Sequence, residues 1–415
     1  MGFAERLRAL MGERGLTGLA VARKAHCDQA YVSRLAAGKQ RPSQKIAQVL
    51  DEALGARGEL AALARDLQEA LPAGMPDAAA LELVELTRRA ERSDLGSGTL
   101  ETLQVVTDQL CRDYPTVPVP LQRQRARRYL RCAIGLLEKR TTLRQHRELL
   151  VTAGWLAALL SCVCYDAGDT AAAGAARRMT RQLGEHAAHG ELVGWSFEIA
   201  AWFALVEGRF QQTVGLSEAG LAHTRVTNAA VQLTLQAARG YARMEDGRAQ
   251  QMLDAGQEVL SRLPEPEHPE HHFVFDRDKY EFYAATIYTW LGTDDAAATE
   301  NAREVISRCH GPSGAIRWPT RLSTTLVNLG QIAGRHGNLD EAVGFGTSAL
   351  RCGRRSAELL PRAAELERRL AARYPKERLT AEYREILTEE VRALPDADAH
   401  WLEQVVGRRT TAALP

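Results

Sequence analysis

The densest set of groups able to ligate, titrate or attack lies between Glu265 and Asp276, in Glu-Pro-Glu-His-Pro-Glu-His-His-Phe-Val-Phe-Asp. His268, His271, His272 and Asp276 offer imidazole nitrogens and a carboxylate, the donor set of a zinc site. The local backbone argues against one. Although His268 and His272 are four apart, two prolines make the stretch an extended connection, so no helical His-x-x-x-His geometry supports the site. Neither a metal nor a cofactor is expected. Cys162 and Cys164 stand two residues apart in Leu-Leu-Ser-Cys-Val-Cys-Tyr. On a helix they point to different faces, which reads as core packing or one groove thiol rather than a redox pair. Asp276, Lys279 and Tyr280 read either as a polar lining or as an N-cap and first turn. The chain has no nucleophile elbow, phosphate loop, zinc-protease helix or dinucleotide fingerprint, so it is not expected to be an enzyme.

The elements that position these groups are helical. The 415 residues are 45% hydrophobic and 25% charged, the balance of an ordinary soluble protein with room for two or three cores. No run approaches the ~20 apolar residues of a membrane span, and Met-Gly-Phe-Ala-Glu-Arg does not open a signal peptide. Seven cysteines without paired spacing suggest reduced thiols in a cytoplasm. Charge is unevenly spread. Residues 1–65 carry 11 Lys and Arg against 6 Asp and Glu, while the other 350 residues carry 42 against 46. A basic head on a mildly acidic body suits a polyanion-binding module joined to something else.

Five short amphipathic segments fit within the head. Phe3, Leu7, Leu10 and Met11 share a helical face that Gly15 ends. Thr17, Asp28 and Ser43 are N-caps for the second, third and fourth helices. Val32 and Leu35 point inward from the third helix, and Ile46, Val49, Leu50 and Leu54 form the stripe of the fourth.

Leu16-Thr17, Val21-Ala22, Ala25, Val32-Ser33-Arg34-Leu35, Gly38-Lys39 and Arg41-Pro42-Ser43 together resemble the Xre/phage-repressor helix-turn-helix family over about 60 residues, without a gap. The resemblance implies that the helix from Asp28 to Ala36 lies in the major groove of double-stranded DNA. Gln29, Ala30, Ser33 and Arg34 would then face base edges, Gln pairing with adenine and Arg with guanine. Arg23, Tyr31, Lys39, Arg41 and Lys45 would meet the backbone, with packing against the fold as the other reading of Tyr31. The sequence departs from the family at Gly18, His26 and Ala36. One such domain contacts few base pairs, so a homodimer on a two-fold site is expected.

Leu71-Pro72-Ala73-Gly74-Met75-Pro76 is the expected boundary between a DNA-binding domain at 1–70 and a helical linker at 71–120. Asp113–Pro120, with three prolines, is expected to be extended. The basic run Arg123–Arg131 reads as the solvated face of a helix whose inner residues are Leu121, Tyr129, Leu130 and Ile134.

From 121 to 375 a turn recurs at Gly168, Gly208, Gly247, Gly292 and Gly337, spaced 40, 39, 45 and 45 residues apart. Seven residues before each stands a small side chain: Ser161, Ala201, Gly240, Ala285 and Gly330. Five after it stand Ala173, Thr213, Met252, Ala297 and Ala342. A small residue lets two helices approach, and the glycine turns between them. This pattern resembles tetratricopeptide repeats, most closely at Leu326–Leu350. The resemblance implies an α-solenoid whose first helices line a concave groove. Carried over position by position, the groove would present Trp155, Tyr165, Trp195, Glu198, Trp202, Tyr241, Glu245, Lys279, Phe282, Trp290, Gln331 and Arg335. Aromatic anchors among a few charges suit a peptide or small-molecule effector, although the same rings would also fill a tightly wound core. Residues 376–415 would be a helical cap or tail.

The expected fold is all-α, and the expected function is a cytoplasmic, ligand-responsive DNA-binding transcription regulator with no membrane partner. The layout is similar to actinobacterial Xre regulators and to Rap/Rgg/PlcR-type peptide-responsive regulators of quorum sensing. A DNA-tethered scaffold holding a partner protein is the alternative.

Overall fold

In the computed structural model, residues 2–25, 27–38, 40, 42–69, 95, 97–311, 314–354 and 356–392 are described. The described helices confirm an all-α fold, and the chain divides into two units, Met1–Leu83 and Val84–Pro415.

In the first unit, the expected periodicity becomes α1 (Phe3–Glu13), α2 (Gly18–Lys24), α3 (Gln29–Ala36), α4 (Gln44–Leu54) and α5 (Glu59–Glu69). The caps form as expected. Thr17 accepts from the Ala20 amide, Asp28 from Tyr31 at 3.0 Å and Ser43 from Ile46 at 3.2 Å. Phe3, Leu7, Val21, Val32, Leu35, Leu50, Leu54 and Leu60 close one core, with Met11, Ile46 and Val49 at its edge. Asp51 is buried and accepts from the Gly58, Leu60 and Ala61 amides, satisfying the start of α5. Arginines of the first helix face helix ends. Arg8 donates to the Ala36 carbonyl at 2.6 Å and Arg14 to that of Gly55 at 3.0 Å, where the helix dipole favours a cation. Part of the basic excess therefore holds the fold rather than lying free.

The second unit is a stack of helix pairs: α6 (Ser97–Asp113) with α7 (Val119–Leu137), α8 (Leu143–Asp166) with α9 (Thr170–His186), α10 (Gly190–Val206) with α11 (Phe210–Leu221), and α12 (Asn228–Arg243) with α13 (Arg248–Ser261). It continues with α14 (Arg277–Leu291) and α15 (Asp295–Arg308), α16 (Pro319–Arg335) and α17 (Leu339–Leu350), then α18 (Leu359–Arg373) and α19 (Arg378–Arg392). From α8 onward, the first helix of each pair packs on its partner and on the first helix of the next pair. The segment read as a linker thus contributes α6, which packs on α7 and α8, while the segment read as a cap contributes α19, which packs on α17 and α18. Residues 70–94 and 393–415 lie outside the described residues.

The repeated turns use two backbone solutions. Gly168, Gly208, Gly292 and Gly337 take positive φ, the region open to glycine. Gly247 does not; there Glu245 takes φ +56°. The small residues serve closeness in different directions. Ser161 donates to Ala173 in its own pair, whereas Gly240 lies against Val214 of the preceding pair.

Two local readings are corrected. Pro120 is not in an extended segment; it stands in the first turn of α7, where its missing N–H costs no hydrogen bond. Leu121 is 47% exposed, so the inner face of α7 is carried instead by Ala126, Tyr129, Leu130, Ala133 and Leu136. In the basic run, Arg123 pairs with Asp169 and Arg125 with Asp113. α8 is long and apolar enough to cross a membrane, yet 72% of its apolar window is buried inside the fold between α7, α9 and α10. Burial accounts for that composition.

The stack winds far enough to meet itself. The side chain of Asp166, at the end of α8, has no exposed surface; it accepts from Tyr114 at 2.7 Å, from Arg354 at 3.0 Å and from the Ala357 amide at 2.9 Å. Arg354 also donates to the Val117 carbonyl and lies 4.1 Å over the Tyr114 ring. Arg239 of α12 pairs with Glu358, and Arg243 with Glu365 of α18 at 2.9 Å.

Candidate DNA-binding face and interior cavity

On α3, alternate turns divide the labour. Val32 and Leu35 are fully buried, while Gln29, Ser33 and Arg34 are exposed on the opposite side. Arg34 is not loose. Its Nε donates to Gln40 at 2.8 Å, and its guanidinium lies 5.9 Å from the Tyr31 ring centre. Tyr31 itself packs against the core, so its ring is held by the fold. Arg23, at the end of α2, and Lys45, in the first turn of α4, are exposed. Lys39, Arg41 and the side chain of Ala30 lie outside the described residues. The face can donate hydrogen bonds in a fixed fork, with cations on neighbouring helices.

In the repeat unit, five of the twelve groove positions meet in one place. Trp195, Glu198, Trp202, Lys279 and Phe282 line a cavity of about 140 Å³, partly open to solvent. The others do not join them there. Tyr165 is buried on Phe203 with its hydroxyl toward the Phe203 carbonyl. Tyr241 is bonded to Glu218 and Arg248, Glu245 is exposed in its turn, and Arg335 pairs with Asp295. Trp290 is covered by the guanidinium groups of Arg239, Arg243 and Arg362, and Gln331 is buried nearby in sequence to Asn328, which bonds Arg362. Trp155 packs on Phe273. The tight winding turns much of the expected groove into core.

Phe273 belongs to the Pro/His-rich segment, which turns inward. Its ring meets Trp155 and Trp195, His272 sits 3.8 Å from Tyr114, and the His272 amide donates to Cys111. The four ligand-type residues have separate roles. His268 faces Glu270, His271 lies 3.8 Å from Asp108, and Asp276 caps α14 by accepting from Lys279 at 2.8 Å. Among the described residues, no cluster able to hold a metal ion is present. Cys162 lines the cavity wall, and burial pushes its thiol well up, away from thiolate chemistry.

The cavity mixes rings and charges. Glu198 accepts from Gln232 at 2.9 Å, and burial pushes its carboxyl up to about 6. Lys279 donates to the His272 and Val274 carbonyls, both at 3.2 Å, and burial, with Arg321 adding repulsion, pulls it down to about 8. Sequence reasoning missed Arg239, Arg321, Tyr283 and Trp318, which complete the walls. Their signal was weak, because they fall at other helical positions than those carried over. The length of the connection between α13 and α14 was a usable sign, since loops beyond about 12 residues in compact folds often carry function.

Burial also holds His271 down, to about 4, against its usual 6.5. Below pH 6.5 the unfolded chain takes up this proton and the folded protein does not. Stability present above 6.5 is therefore lost as pH falls toward 4, by roughly 3 kcal/mol. Glu198 works the other way: its raised value returns roughly 2 kcal/mol between pH 6 and 4.5. Wild type is expected to lose thermal stability between pH 6.5 and 4, and His271→Gln to lose less, measured by melting temperature across that window. Equal slopes would contradict the assignment.

Short helices α2 and α3 joined by a tight turn, with caps at both starts and one polar face outward, define a helix-turn-helix unit. Residues 3–64 match the family model described as a helix-turn-helix domain. No curated protein matches the chain.

Proposed function

We propose that the protein is a sequence-specific transcriptional regulator that binds duplex DNA as a homodimer and is controlled by an effector in its repeat region. The observation that carries this reading is α3, with Val32 and Leu35 locked inside and Gln29, Ser33 and Arg34 outside within the matched domain. That face has the donors to read adenine and guanine edges. Arg23 and Lys45, with Lys39 and Arg41 from the sequence, supply phosphate contacts that give affinity without choice. Tetratricopeptide-like character is supported by the paired helices and their recurring turns. Effector control is supported by the cavity, whose walls come from several pairs; a ligand that fits one winding of the stack better than another would shift the equilibrium between them.

Selection of bound duplexes from a random pool by the purified full chain tests the reading. A recovered two-fold motif is expected, with half-sites about one helical turn apart or a multiple of it. No enrichment of any sequence at moderate salt would overturn it.

A further inference from the structure

Two cations reach the cavity with unequal partners. Lys279 reaches it from the first turn of α14 and Arg321 from the first turn of α16. An ammonium has three donors, and the two carbonyls of His272 and Val274 engage two of them. Among the described residues, no carboxylate lies within ion-pair distance of the Lys279 nitrogen. Arg321 is 3.7 Å from Asp276, a long contact, and its guanidinium stacks 4.2 Å from Trp318. Glu198, across the cavity, is held by Gln232. The neighbouring imidazoles of His271 and His272 are kept neutral by burial, so they add no further positive charge there. Of the other charged wall residues, Glu270 faces His268 and Arg239 pairs with Glu358; the rings in the wall include Trp195, Trp202, Phe282 and Trp318.

We propose that this cavity binds a small monoanionic carboxylate, its charged end on Lys279 and Arg321 and its apolar body among the tryptophans. This rests on the effector reading above and names the ligand's chemical class. Size limits the body, since cavities of about 150 Å³ admit a benzene-sized guest. A long linear peptide does not fit the space that remains, because Phe273 and His272 of the chain's own connection occupy the adjoining part of the inner face. Charge sets the head group. An anion relieves the repulsion between two cations and accepts the third ammonium proton, which a neutral amide does far less well.

Binding is measured on the full chain without DNA, so loss of this site and loss of the operator reading are separate results. Benzoate and hexanoate are titrated while tryptophan fluorescence and calorimetric heat are followed, with benzamide and inorganic phosphate as comparators. Saturable binding of at least one carboxylate is expected, with benzamide weaker than benzoate by about tenfold or more. Lys279→Met is expected to lose about tenfold in affinity and Lys279→Arg to regain part of it. Thr320→Leu narrows the cavity without changing charge and is expected to weaken binding as well. Equal binding of benzamide, binding of phosphate alone, or no saturable signal from either carboxylate overturns the proposal.

Discussion

Asp166→Ala is expected to destabilise the repeat unit by about 3–5 kcal/mol, the cost of leaving a buried cation without its partner. The side chains of Asp166 and Arg354 are 0% and 3% exposed, so water cannot take over. Three donors converge on the carboxylate from three places in the chain: Tyr114 between α6 and α7, Arg354 after α17, and the Ala357 amide before α18. Removing it takes that acceptor from all three, and among the described residues Arg354 keeps the Val117 carbonyl and the Tyr114 ring. Asp166→Asn preserves one acceptor oxygen but no charge, and a loss about half as large is expected. Urea denaturation followed by helical circular dichroism measures both. A change below about 1 kcal/mol for the alanine variant would show that the closing contact is not made in solution.

How much of this was legible in the sequence depends on whether the signal is local. The caps Thr17, Asp28 and Ser43 were legible because a cap is decided by its own side chain and the amides two or three residues on. The helical turns at Gly168 and Gly337 were legible for the same reason. Pro120 misled because three prolines within eight residues look like a barrier, whereas one standing in a first turn is compatible with a helix. Asp166 is different: its partners lie as much as 191 residues away. No spacing reveals a contact created by the winding of the whole stack.

The groove shows the same limit more sharply. Trp195, Glu198, Trp202, Lys279 and Phe282 were found by position within the repeat, and they converge on one cavity. Tyr165 and Tyr241 occupy equivalent positions and are core. What separates the two sets is the superhelical pitch, together with the inward turn of the segment holding His272 and Phe273. That segment drew attention for its histidines, which suggested metal chemistry. Its rings and carbonyls matter instead: they wall the cavity and hold the Lys279 ammonium.

Arg34→Ala is expected to weaken binding to the preferred duplex by about 1–3 kcal/mol, roughly 5- to 150-fold, with the loss confined to one base position. The structure explains why the contact would be selective. Gln40 takes the Nε proton of Arg34, and among the described residues no hydrogen-bond partner holds the two terminal nitrogens of the fork, which can then meet O6 and N7 of a guanine. The Tyr31 ring flanks the guanidinium and, being packed on the core, limits where it can swing. Less rotamer freedom is then lost on binding than for an unsupported side chain. Gln40→Ala removes the support but not the fork, so a smaller loss at the same base position is expected. Lys45→Ala is expected to act differently. An exposed ammonium in the first turn of α4 offers a point charge to phosphate, so affinity falls for all duplexes alike and the dependence on salt becomes shallower by about one counterion. Titrations of the preferred duplex and of single-base variants at several salt concentrations separate these outcomes. If Arg34→Ala and Lys45→Ala gave the same uniform loss, α3 would be gripping the backbone, and base reading would have to be sought on another element.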